Sequence, residues 1–304
     1  MYFLRRILML VPVLLIVSVT AFVLVRVAPG GPFDRERQPA SPEIEQQIRA
    51  KYHLDESVAR QYLRFLADLS RGDFGPSLKY RNHTVNDIIR QGLPVSMSLG
   101  MLAFGFALGV GLPLGFFTAV RRGKWQDYAG SLAAILMVCI PAFVVAPLLV
   151  MLFALKWRVL PAAMWGSPIH VLLPVTALGI YYSGRIARLL HEGMVSTLKA
   201  DFIVTARAKG LGEGTVLLKH AFRLAVLPVV SYSGPLLADL LTGSFVIESL
   251  FQLPGLGTFM VNGSLNRDYT LVVGLVVLYA ALLVALNLAV DFAYVLLDRR
   301  VKYE

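Results

Sequence analysis

Cysteine is nearly absent from this sequence. Cys139 is the only one in 304 residues, so a single chain can form no internal disulfide and no cysteine-built metal site. Charge is scarce as well: charged residues make up 16%, against about a quarter in soluble domains. Histidine is limited to His53, His83, His170, His191 and His220, and no two of them have metal-ligand spacing on a helix. There is no P-loop, no H-E-x-x-H and no G-x-S-x-G. Without a P-loop the chain lacks the usual phosphate cradle for ATP, so any energy drawn from nucleotide must come through another subunit. No catalytic residue and no metal ligand is expected.

What the sequence does have is hydrophobic length, with 57% apolar residues and a mean hydropathy of +0.66. Crossing roughly 30 Å of hydrocarbon takes about 20 residues at helical rise. Apolar runs of that size occupy residues 7–27, 95–120, 128–155, 171–190, 225–250 and 271–297, which predicts an all-α membrane protein of six transmembrane helices. Pro113, Pro141, Pro147, Pro174 and Pro235 fall within these runs. Neighbouring helices in a membrane bundle can satisfy the backbone groups that such prolines free. The first run follows Arg5 and Arg6 as in a signal peptide, but it is long and no small-x-small site closes it, so it is read as an uncleaved span.

Lysine and arginine set the expected topology. With the N-terminus inside, the inner segments hold Arg5, Arg6, Arg121, Arg122, Lys124, the basic residues from Arg185 to Arg223, and Arg299, Arg300 and Lys302. The short outer loops hold only Lys156, Arg158 and Arg267. Both termini are thus expected on the cytoplasmic side of the membrane. Much of the net charge of +10 would then face anionic lipid and inner partners, without need of nucleic acid.

The chain is read as one domain, 1–304, with an external amphipathic insert over 30–93. There Ser41-Pro42-Glu43 is a sound helix start, and Ile48, Tyr52, Val58, Tyr62, Phe65, Leu66 and Leu69 recur at helical spacing until Gly72. Two short helices broken near residues 53–55 fit this pattern. They could meet an external partner, seal the outer mouth or lie on the membrane surface.

Ionisable residues within spans are functional candidates, because lipid is costly for them. Arg26 can snorkel to the outer interface. Arg185 and Arg188 share one face at the inner end of the fourth span, in anchoring positions or in reach of the bundle. Asp239 lies in the middle of the fifth run, amid Ser231, Ser233, Thr242 and Ser244. It either lines a pathway or bonds a neighbouring helix. Glu248 and Asp291 approach span ends, where a structural role fits.

One polar, basic, glycine-punctuated segment interrupts the apolar pattern, a coupling loop over 191–224. The fourth span is expected to continue past the membrane as a helix. Asp201 then offers an N-cap, Arg207 and Lys209 lie near the negative end of the helix dipole, and Gly210 suits a C′ position. Leu211-Gly-Glu-Gly reads as a turn, and Thr215 can cap a second helix through His220 to Pro228. Ala206 and Ala208 would permit close approach of another backbone. Such an elbow can fit a partner's groove or rest on anionic lipid, and composition alone leaves both open.

The segment Thr205-Ala-Arg-Ala-Lys-Gly-Leu211, followed by His220-Ala-Phe-Arg223, resembles the EAA loop of ABC-importer permeases in its peptide-transport variant. Val204 stands where the general pattern has its acid, and Thr205 at the first alanine, as in that subgroup. Further matches are Leu4-Arg-Arg-Ile7, Arg26-Val-Ala-Pro-Gly-Gly-Pro-Phe33, Gly72-Asp-Phe-Gly75, Glu248-Ser-Leu-Phe-Gln-Leu-Pro-Gly-Leu-Gly257 and Asn266-Arg-Asp-Tyr269. Together they resemble the B-type membrane subunit of an oligopeptide or dipeptide importer.

The resemblance implies a type I importer permease fold with a cytoplasmic coupling-helix elbow. Implied partners are a second homologous permease, two cytoplasmic ATPase subunits that bind ATP and magnesium, and an extracytoplasmic peptide-binding protein. ATPase coupling would fall on Asp201, Thr205, Ala206, Arg207, Ala208, Lys209, Gly210, Leu211 and His220, and the substrate pathway on Asp239. Gly210→Pro, or a bulky charge at Ala206, would then uncouple transport without blocking insertion. Related permeases carry nickel, haem, glutathione or peptide-like antibiotics, which stay open as cargo. A secondary transporter or channel would instead be expected to show repeats or an ion site, and no repeat is seen here.

Overall fold

A computed structural model describes residues 2–27, 55–80, 83–241 and 244–297, with side chains described for 11–289 of these. The expected helix start at Ser41, Thr242, the side chains of Arg5, Arg6 and Asp291, and the C-terminal residues 298–304 lie outside the described residues. Among the described residues the backbone is helical, with one isolated antiparallel bridge between Pro76 and Thr84.

The first apolar run is α1 (Tyr2–Val27). The described part of the insert holds α2 (Val58–Leu69), which begins after Ser57 and is followed by Gly72 at φ +78°. The second run lies within α3 (Val85–Val120), and its 36 residues make a rod of about 54 Å at 1.5 Å per residue, longer than the hydrocarbon is thick. A capping box starts it: the Thr84 side chain accepts from the Asp87 amide, and the Asp87 side chain accepts from the Thr84 amide.

The third run is not one straight helix. α4 (Trp125–Cys139) and α5 (Ala142–Leu149), which continues as a π-helical stretch over Val150–Lys156, are bent by 102° to each other. The cause is local. Pro141 has no amide to donate, and it pushes Ile140 into an extended conformation at φ −92° and ψ 115°.

The fourth run is α6 (Pro168–Thr197), which extends beyond the apolar stretch as expected. The coupling loop forms α7 (Asp201–Ala208) and α8 (Glu213–Ala225), and α8 contains a π-helical stretch over Val216–Ala221. The fifth run is also divided. α9 (Leu227–Leu241) is bent by 47° from α8, and α10 (Phe245–Leu250) is a separate short helix with Ser244 as its N-cap. α11 (Leu256–Leu265) and α12 (Tyr269–Leu297) complete the chain.

Among the described residues, α3 and residues 269–289 of α12 have the length and composition to cross a membrane unaided, and the number rises to four if each bent pair is counted as one span. α1 and α6 have the length, with 26 and 30 residues. The C-terminal half of α6 carries Arg185, Arg188, His191 and Glu192, which lowers its hydropathy.

The central packing is α3 against α6. Ala103, Ala107, Gly111, Gly115 and Ala119 are buried on α3 at a spacing of four, a ridge of small side chains running along one face. Such ridges let backbones approach closely in membranes. A β-carbon at Gly111 would lie 2.7 Å from the Ser183 carbonyl oxygen, and one at Gly115 would collide with the Ala187 carbonyl. α4 and α9 flank this pair, while α1 packs on α12.

The insert is tied to the last span by Asp268, which is fully buried. Its Oδ1 accepts from the Leu78 and Leu271 amides, both at 3.1 Å, and its Oδ2 accepts from the Lys79 amide at 3.2 Å and from the Ser77 hydroxyl. Arg26 reaches the insert rather than only lipid: its Nη2 donates to Gln61 Oε1 at 2.8 Å, while its guanidinium lies 3.4 Å from the Phe22 ring centroid.

Candidate functional site

Two features of the bundle have no purely architectural explanation, and α6 links them. The first is the elbow. α7 closes with two reciprocal backbone bonds that satisfy its last carbonyls: the Gly210 amide donates to the Arg207 carbonyl at 2.9 Å, and the Leu211 amide to the Ala206 carbonyl at 3.4 Å. This cap needs a left-handed residue, which Gly210 supplies at φ +76°. Arg207 then grips the next helix, with Nη2 2.6 Å from Glu213 Oε1 and Nε 3.1 Å from Oε2. Hydrogen bonding to Arg207 holds the Glu213 carboxyl below the usual carboxylate range, and the same pairing raises Arg207.

One face of α7 points into the protein. Ile203 and Ala206 are buried among Met194, Val216 and Ala221. Ala206 therefore packs inside the elbow and is not available for close approach by another protein, contrary to its expected role. The outward face carries Phe202, Val204, Ala208 and Lys209, with Val204 at 59% exposure, and Leu211 and Leu218 continue the exposed apolar surface beyond α7.

Two caps differ from expectation. Asp201 is the first residue of α7 and Ala200 precedes it as N-cap, so Asp201 acts only as an acid in the first turn. Thr215 lies inside α8, whose N-cap is Gly212. Thr205 turns its hydroxyl back to the Asp201 carbonyl at 2.9 Å. His220 is half-buried in the π-helical stretch.

The second feature is a polar strip where α6 meets α9. Asp239 is exposed, and Oδ2 accepts from the Tyr182 hydroxyl at 2.6 Å. The Arg185 guanidinium lies over the Tyr232 ring, 5.2 Å from its centroid, and the Tyr181 and Tyr182 rings meet edge to face at 5.0 Å. An open groove beside them is lined by Arg185, Leu189, Ser231, Tyr232 and Pro235. Ser231 and Ser233 do not join Asp239. Their hydroxyls return to the Leu227 and Val229 carbonyls at 3.0 and 2.8 Å. Sequence reading missed the tyrosines, although the pairs 182/185 and 232/239 have helical spacing that places each pair on one face.

Glu248 is not part of the strip. It is fully buried, and Oε2 accepts from the Gly257 amide at 2.7 Å, while the nearby Ser96 hydroxyl accepts from the Leu256 amide at 2.9 Å. These bonds fold the 248–257 segment into a corner against α3, a structural role as expected. Among the described residues no cluster suited to a metal ion occurs.

Comparison with known proteins follows the whole chain. Residues 111–303 match the family described as "Binding-protein-dependent transport system inner membrane component", and residues 1–100 match the N-terminal region of the same kind of membrane component. The "Oligopeptide transport system permease protein OppB" of Haemophilus influenzae is 44% identical, covering 98% of each chain. The protein of the same name from Salmonella typhimurium is 43% identical over 99% of each. The "Dipeptide transport system permease protein DppB" of Bacillus subtilis is 42% identical over 99% of this chain and 97% of its own. Among solved structures, a chain of the inward-facing MetNI methionine ABC transporter superposes with a TM-score of 0.60 at 16% identity, covering 70% of this chain and 97% of that one.

Proposed function

The chain belongs to the family of binding-protein-dependent transport system inner membrane components, and from that premise we propose that it passes oligopeptides or dipeptides across the inner membrane as one subunit of an ATP-driven importer. It is a transport subunit and not an enzyme. Relatives named for both oligopeptide and dipeptide transport, alike over nearly their full length, support that cargo class.

The observation that carries the mechanism is the elbow: a pair of short helices internally locked by the Gly210 cap and the Arg207–Glu213 pair, yet apolar on its outer face. A loop meant to stay in water would not expose Phe202, Val204, Leu211 and Leu218 together. In this reading the elbow is cytoplasmic and seats in a groove of an ATPase subunit that holds ATP and magnesium. A second, homologous permease brings a second elbow to a second ATPase. The pathway lies between the permeases, and an outer binding protein delivers the peptide near the insert. Both termini face the cytoplasm, in accord with the lysine and arginine placement.

The lock makes the elbow a solid body, so force from a closing groove is not absorbed by its turn. Ile203 and Ala206 pass that force to α8, the close approach of the Ala225 carbonyl to Gly193 passes it to α6, and the small-residue seam passes it to α3. The inner end of the bundle then tilts as a unit.

The test is co-purification with uptake by the reconstituted complex. Val204→Glu together with Phe202→Asp places charge on the docking face without touching the buried side. The expected result is loss of the ATPases and of ATP-driven peptide uptake, with the second permease retained. Retained ATPases with wild-type uptake, or peptide flux without ATP through the purified chain alone, would overturn the reading.

A further inference from the structure

The strip between α6 and α9 carries two opposite charges on an exposed face of helices that the apolar runs assign to the membrane. Charged side chains at that depth face protein or water rather than lipid. Their spacing is informative. Tyr232 and Asp239 are seven residues apart on α9, two turns on one face and about 10.5 Å along the axis. Arg185 lies over Tyr232, so the positive end of the strip sits at the Tyr232 level and the negative end at Asp239. An extended peptide advances about 3.3–3.6 Å per residue, so roughly three residues cover the same span.

The chemistry also matches a peptide with both termini free. A carboxylate already oriented by the Tyr182 hydroxyl is an acceptor for an ammonium, and a guanidinium presents a planar fork to a carboxylate. Between them lie Tyr182 and Tyr232, each partly buried, aromatic neighbours that demand no particular side chain. The open groove along Leu189, Ser231 and Pro235 leaves space at the arginine end.

We propose that the Tyr182–Asp239 and Arg185–Tyr232 pairs form a station for peptide termini, in which Asp239 receives the α-ammonium and Arg185 the α-carboxylate of a zwitterionic substrate of about three residues. The station rests on the transport reading above and adds to it a substrate length and two contacts. It also explains why the tyrosines touch the charges and the serines of α9 do not.

The experiment uses the assembled importer in proteoliposomes. Asp239→Asn is expected to lower uptake of a free tripeptide about tenfold, the size of one charge-assisted hydrogen bond, and Asp239→Glu to restore most of it. Arg185→Gln is expected to lower uptake of the free tripeptide comparably, but to carry a carboxy-amidated tripeptide as well as the unmodified importer does. In a Cys139→Ser background, Tyr232→Cys should react with a membrane-impermeant maleimide, and saturating tripeptide should slow that reaction. Normal uptake by Asp239→Asn, or a Tyr232→Cys that the maleimide never reaches, would overturn the station. So would loss of the second permease from the Asp239→Asn complex, because the carboxylate would then belong to a subunit seam. If the unmodified importer moves no peptide with ATP, the transport reading itself fails, and the maleimide result still reports whether the strip faces water.

Discussion

Replacing Asp268 by alanine tests how the insert is held. Its carboxylate caps α12 through the Leu271 amide and holds the 77–79 segment through three further donors. Loss of an N-cap costs about 1 kcal/mol. The Ser77 hydroxyl is buried and would be left without this acceptor, a penalty of about 1–3 kcal/mol. Lys79 is exposed and Leu78 half-buried, so their amides recover water and add less. The sum is about 2–4 kcal/mol. Asp268→Asn should cost about half as much. An asparagine keeps one carbonyl oxygen for Leu78 and Leu271 and is itself a good cap, and it loses the acceptor for Ser77 and Lys79. Thermal unfolding of the detergent-purified protein reads the ranking, and tryptic cleavage at Lys79 reads release of the segment. If alanine, asparagine and aspartate melt alike and are cut at the same rate, the carboxylate does not hold the insert.

Two other predictions concern the bundle and the elbow. Gly115→Ala places a methyl against the Ala187 carbonyl, so α3 and α6 must separate; a loss of about 1–3 kcal/mol in thermal unfolding is expected, whereas Gly105→Ala, where a β-carbon meets nothing, should leave the melt unchanged. The elbow pair responds to pH in one direction. Because the Glu213 carboxyl is held below its ordinary range, the pair is intact above that range and is lost as pH falls through the depressed value. Hydrogen exchange at 209–215, corrected for intrinsic rates, should therefore be flat near neutral pH and rise in acid, with Glu213→Gln high throughout.

Much of this architecture is legible in the sequence, because long apolar runs and glycine-terminated helices are local signals. The extent of α6 past its apolar stretch, the helix–turn–helix elbow and the C′ position of Gly210 follow from such signals. The divided third and fifth runs do not. Hydropathy is continuous through Ile140–Pro141, and a proline inside a membrane helix can kink it mildly or break it, depending on neighbours. The inward direction of Ala206 was also out of reach, since on a helix of eight residues with apolar positions all round, only packing decides which face turns in. Arg26 reads as an interfacial anchor until Gln61, 35 residues away, comes within hydrogen-bond distance. Asp239 reads as an acid in the middle of a span, and Tyr232 shares its face by spacing, but its hydrogen-bond partner Tyr182 comes from another helix, which no linear spacing reveals.

The ridge of small residues on α3 has a consequence for biogenesis. Its partner surface lies on α6, and the bent α4–α5 segment is synthesised between the two. When α3 leaves the ribosome, alanines and glycines face lipid, which is as apolar as they are and drives no early association. α3 can therefore wait in the bilayer as an inserted but unpaired helix, stable by its own hydropathy. Closure of the seam is deferred until α6 has been delivered. Only then can the elbow, which hangs from α6, be registered against the closed α3–α6 pair, while α9 and α12 have still to be made, so the elbow takes its place before the last helices of the chain are inserted.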